Sequence, residues 1–177
     1  MGVIGDWRAA RDRRRLSAAF LQAVLSPTDP ADAEWLTTVA GSRVAAEREL
    51  LFARRALALI AAQRDALDDR TASDVARELG AVTDAESRHD AALSASWPAR
   101  WRGYADALAV RGGTEPPATR LARVLLAGAG LSSPTAEQLG RATHSIQTMR
   151  ARANESLRAV FGVASLPDDV RPSAWRS

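Results

Sequence analysis

Apolar residues recur along most of this chain at intervals of three and four positions, the period of an α-helix that packs on one side. One such stripe begins at Val75, and another runs from Leu139 to Val160. The segment from Leu50 to Ala62 is instead apolar around most of its circumference. This pattern indicates a helix surrounded by other helices, and the sequence shows no alternation typical of a β-strand.

Proline, glycine and capping residues mark where these helices begin and end. Asp29 followed by Pro30 is typical of a helix start, and Gly41 ends the short helix that follows. Beyond that glycine, the pattern predicts two long helices joined by a tight turn, an antiparallel hairpin over residues 42–96. The Trp-Pro dipeptide at 97–98 predicts a new helix start or a kink.

The end of the chain differs from the rest. Gly162 is expected to stop the last helix, and we predict an extended C-terminal tail over residues 163–177, which contain prolines and Trp175. The predicted fold class is therefore all-α, an irregular helical bundle of about five to seven helices with the long hairpin at its centre. A chain of 177 residues is long enough for one core, so we predict a single domain over residues 1–162.

Composition restricts the function mainly through what is missing. The chain has no cysteine, which excludes disulfides and thiolate metal sites. All 24 basic residues are arginine, so the isoelectric point of about 10.7 overstates a net charge of only +3. The N-terminus lacks the apolar core of a signal peptide, and residues 50–62 are too short and too charged to span a bilayer. We expect a cytoplasmic protein, either free or peripheral on the cytoplasmic face of a membrane.

The first fifteen residues combine basic and aromatic side chains. Five arginines follow Trp7 within eight positions: Arg8, Arg11, Arg13, Arg14 and Arg15. Guanidinium groups beside an indole suit an anionic surface, which an acidic protein, anionic lipid or nucleic acid would provide. Because the arginines are spread around the helix, we predict a protruding basic arm over residues 1–15 that contacts a partner. The alternative is a solvated helix start.

Aromatic residues form a second candidate contact surface. Trp97, Trp101 and Tyr104 share one helix face at spacings of four and three, and Arg100 flanks them. Tryptophan and arginine are enriched at interface hot spots, so the stripe predicts contact with a partner, with burial in the core as the alternative. Trp175, in the tail, either packs on its own domain or anchors on a partner.

One apolar stripe contains two polar residues, Glu86 and His89, as a Glu-x-x-His pair. Antiparallel packing in the hairpin would bring Glu49 level with them. These three side chains would be half the ligand set of a ferritin-like di-iron site, suited to iron or manganese, which a homodimer could complete. The alternative is that Glu86 pairs with an arginine and His89 is structural.

No catalytic motif is recognisable. The glycines lie at helix ends rather than in a phosphate-binding loop, and neither histidine belongs to a known motif, so we predict a protein that is not an enzyme. The leading hypothesis is a non-catalytic helical scaffold or accessory subunit that docks on a larger protein assembly, such as a membrane complex, from the cytoplasmic side. The alternatives are a ferritin-like metal-binding bundle and a nucleic-acid-binding regulatory module.

Overall fold

Seven α-helices follow one another in the computed structural model, which describes residues 3–26, 29–65, 69–110 and 114–162; the side chains of residues 3–6, 8, 9, 65 and 94 lie outside this description. Within these ranges no β-strand occurs, so the all-α prediction is confirmed. The helices are α1 (Val3–Leu25), α2 (Pro30–Ala40), α3 (Arg43–Asp65), α4 (Asp69–Ser87), α5 (Ala91–Ala109), α6 (Pro117–Gly128) and α7 (Ala136–Phe161). None of these seven helices carries an apolar stretch long enough to cross a membrane.

Helix α3 is the central element of the bundle. It contacts each of the other six helices, and every residue from 52 to 62 on it is buried. One apolar cluster joins α3 to α2, α5, α6 and the first half of α7, and a second joins it to α1, α4 and the end of α7. The prediction that the Leu50–Ala62 segment is surrounded by helices is therefore confirmed.

The capping signals place the ends of α2 correctly. The side chain of Asp29 accepts a hydrogen bond from the backbone N–H of Ala31 at 2.8 Å, and Pro30 occupies the first helical position. Gly41 ends the helix with a left-handed φ of 66°. Local signals are sufficient here because each acts within a few residues of the helix end.

The second helix of the hairpin is shorter than predicted. Helix α4 ends at Ser87, where the N–H groups of residues 89 and 90 both donate to the Glu86 carbonyl. The Asp90 side chain then accepts from the Leu93 N–H at 3.1 Å and caps α5. A helix to residue 96 and a new helix start at 97–98 were therefore wrong predictions; Pro98 lies inside α5, and a kink there stays a prediction.

Candidate functional site

The predicted arm is the first half of a packed helix. Helix α1 is continuous from residue 3 to residue 25 and contacts α3, α4 and α7. Arg13 Nε lies 3.2 Å from Oδ2 of Asp74, which is almost fully buried. Arg14 Nε lies 3.2 Å from Glu78 Oε2. These two arginines therefore hold α1 against α4, while Trp7, Arg11 and Asp12 before them are exposed, so the arm over residues 1–15 stays a prediction.

Another face of α1 points into solvent. Trp7 is 62% exposed, and the Arg11 guanidinium lies over its ring at 5.7 Å from the centroid. Arg15 is exposed one turn further on, and the spacing of four residues places all three on one face. Together with Asp12 they line a surface depression of about 480 Å³. We call Trp7, Arg11 and Arg15 the α1 surface; the side chain of Arg8 lies outside the described residues.

The aromatic stripe of α5 packs mainly into the core. The Trp97 ring stacks on Phe52 with centroids 5.8 Å apart, and the Trp101 ring lies 6.2 Å from that of Trp97. Tyr104 has no exposed surface, so it offers nothing to a partner in this fold. Partner contact through the partly exposed Trp97 and Trp101 stays a prediction, and Trp175 lies outside the residues that the structure describes.

Arg100, on the same helix, binds a buried carboxylate. Its Nε donates to Glu49 Oε1 at 2.9 Å, and its Nη2 donates to the Gly128 carbonyl at 3.2 Å, so this cluster links α3, α5 and α6. Burial raises the pKa of the Glu49 carboxyl and outweighs the lowering effect of Arg100. Burial, together with the negative charge of Glu49, also raises the pKa of Tyr104 far above its ordinary value.

The predicted metal ligands do not converge. Glu86 is partly exposed and pairs with Arg55, a fully buried arginine, while His89 is exposed in the turn after α4. Glu49 is already bound by Arg100. Among the described side chains, no group of three carboxylate or histidine residues could hold a metal ion. The predicted grouping of Glu49, Glu86 and His89 was therefore wrong, since each carboxylate is neutralised by an arginine of the chain.

A further buried arginine, Arg54, was not predicted as a site residue. It lies on α3, is 9% exposed and lines a cavity of about 720 Å³. Its Nε has no hydrogen-bond partner within the described ranges. Burial, and then the positive charges of Arg152 and Arg55, lower the pKa of Arg54. The sequence signal for Arg54 is the Arg-Arg pair at 54–55 within the most apolar segment of the chain.

At the α1 surface and in the cavity beside Arg54, arginines have no carboxylate in contact among the described residues. Comparison of the chain with protein-family models, with curated proteins and with solved structures gives no significant match.

Proposed function

We propose that this protein is a non-catalytic helical accessory subunit that docks on an acidic surface of a partner protein through the α1 surface. The observation that supports this most directly is the exposure of Trp7, which is 62% accessible although indole is the largest apolar side chain. Arg11 lies over its ring, so the indole is held beside a positive charge. Tryptophan and arginine together are the residue types most enriched where binding energy concentrates in protein interfaces.

The charges of α1 are divided between its two faces. On the inner face, Arg13 and Arg14 are neutralised by Asp74 and Glu78 of α4. On the outer face, neither arginine of the α1 surface contacts a carboxylate among the described residues. Even with Asp12 in the same depression, two arginines give this surface a net positive charge, which an acidic partner would complement and which would speed its association.

We further propose that the partner belongs to a larger assembly on the cytoplasmic face of a membrane. Tryptophan and arginine both suit the region beside anionic headgroups, where a basic residue contributes about 1 kcal/mol to association. The partly exposed edges of Trp97 and Trp101 on α5, and the tail residue Trp175, are the further contacts that this proposal includes.

Charge reversal within the α1 surface tests the proposal without truncating a packed helix. A photoreactive amino acid at position 7 would first identify the neighbouring protein in the native host. Affinity for that purified partner would then be measured for the wild type and for Arg11→Glu/Arg15→Glu. We expect the double reversal to weaken binding about tenfold to a hundredfold, and we expect wild-type affinity to fall as salt increases.

The matched control is Arg70→Glu/Arg88→Glu, which reverses two exposed arginines, one on α4 and one directly after it, and should change affinity less than about twofold. Circular dichroism would verify that both double variants remain helical. Equal binding by both double variants would refute docking through α1. If the position-7 photoreactive protein cross-links no protein, while the wild type sediments with anionic vesicles or binds DNA, a lipid or nucleic-acid surface would replace the proposal.

A further inference from the structure

The cavity beside Arg54 has the size of a small-molecule site. It lies between the start of α2, one face of α3 and the start of α5, and its volume is about 720 Å³. Pockets that hold small ligands usually measure about 300–1,000 Å³. Aliphatic side chains form much of its wall, among them Val44, Leu50, Leu51 and Leu93. A ligand in this cavity would therefore bury an apolar body.

Most charged groups in the wall are already paired with each other. Arg43 Nε donates to Glu47 Oε1 at 2.7 Å, and Arg48 Nη2 lies 3.5 Å from Asp90 Oδ2. Arg54 differs, since no carboxylate contacts it within the described ranges and its Nε lacks any hydrogen-bond partner there. The wall therefore contains one arginine whose charge is not compensated by the chain.

An uncompensated arginine in this position is costly to the folded protein. Arginine stays protonated under all ordinary conditions, so it cannot lose its charge to escape burial. Its positively charged neighbour Arg152 adds repulsion and donates its own hydrogen bond to the Ala23 carbonyl. An anion placed in the cavity would supply the missing acceptor.

The other charges indicate what kind of anion fits. Asp29 and Asp32 also line the cavity; Asp29 caps α2, and Asp32 accepts from Ser145 Oγ at 2.7 Å. Because neither carboxylate is paired with an arginine among the described residues, they would repel a multiply charged phosphate more strongly than a monoanion. We infer that the cavity binds a small molecule with one carboxylate and an apolar body, and that the carboxylate pairs with Arg54.

Calorimetric titration of the purified full chain with decanoate tests this inference, with Arg54→Met as the main variant. Methionine keeps most of the side-chain volume but removes the charge. We expect wild-type protein to bind decanoate, and Arg54→Met to bind it at least about tenfold more weakly. Without ligand, Arg54→Met should melt at the same or a higher temperature, because an unpaired buried charge is removed.

Arg43→Met is the matched control, since Arg43 lines the same cavity but already has Glu47 as its partner. We expect it to bind decanoate within about twofold of the wild type. Decanol and inorganic phosphate serve as probes of the apolar and anionic parts alone, and both should bind much more weakly than decanoate. If Arg54→Met fails to fold, Arg54→Gln takes its place.

The inference would be overturned by no decanoate binding by the wild type, by equal binding by the Arg54 variant, or by phosphate binding as tight as that of decanoate. Decanol binding equal to decanoate would also overturn it, because the apolar wall would then act without Arg54. Since this cavity and the α1 surface share no residue, either proposal can fail while the other holds.

Discussion

Replacing Gly128 with alanine tests how rigidly the buried carboxylate of Glu49 is held. A Cβ at position 128 would lie 2.6 Å from Glu49 Cδ, and closer still to Oε2, where non-bonded carbon atoms normally stay about 3.5–4.0 Å apart. Glu49 would therefore have to move by about 1 Å. Because Glu49 is only 4% exposed and Arg100 binds both Glu49 and the Gly128 carbonyl, this movement disrupts the cluster.

The expected magnitude is a difference between two opposing effects. A hydrogen bond to a charged group contributes about 1.5–3 kcal/mol, and the lower half of that range applies because Arg100 is 35% exposed. Against this loss, alanine favours a helix over glycine by roughly 0.5–1 kcal/mol. We expect Gly128→Ala to lower the free energy of unfolding by about 1 kcal/mol, which corresponds to roughly 2–4 °C in melting temperature for a chain of this length.

Urea unfolding followed by circular dichroism measures this change, and Gly80→Ala is the matched control. Gly80 also lies in a helix, but a Cβ there would meet nothing within 4 Å. We expect Gly80→Ala to raise the free energy of unfolding by roughly 0.5–1 kcal/mol, so the two variants should differ in sign. In a Glu49→Ala background, Gly128→Ala should no longer destabilise; equal stabilisation by both glycine replacements in the wild type would refute the reasoning.

Two further predictions concern the same buried cluster. Because burial raises the pKa of Glu49 above its ordinary 4.5, the folded state holds that proton more tightly than the unfolded state, and this contribution to stability is lost as pH rises through the raised value. The stability of the wild type relative to Glu49→Gln should therefore fall as pH rises above the ordinary pKa of 4.5 in urea unfolding, and a constant or rising difference would contradict the assignment. Tyr104 is the only tyrosine, and its buried hydroxyl lacks a hydrogen-bond partner among the described residues, so Tyr104→Phe should change the free energy of unfolding by less than about 1 kcal/mol. Its raised pKa should also keep the folded protein free of tyrosinate absorbance near pH 11, and tyrosinate appearing there before unfolding would show that the ring is accessible.

The sequence by itself determined the fold class and most of the helix boundaries. Helical periodicity acts over three or four residues, and the signals at Asp29, Pro30 and Gly41 act over even shorter distances, so the chain carries that information locally. The same local pattern predicted the wrong end for α4. Glu86 and His89 fit the helical spacing of the stripe in the sequence, but in the structure Asp90 caps the next helix and His89 lies in the turn before it.

Only the tertiary structure decided which charged groups have partners. Glu49 pairs with Arg100, which is 51 positions away in the chain, and Arg13 pairs with Asp74 across an even longer separation. Arg54, by contrast, contacts no carboxylate within the described ranges. Such pairs depend on the packing of α3 against its neighbours, because a few ångströms decide whether two ions touch. Periodicity specifies the buried face of a helix, but the residue opposite each charge depends on the register between helices, which no local pattern contains.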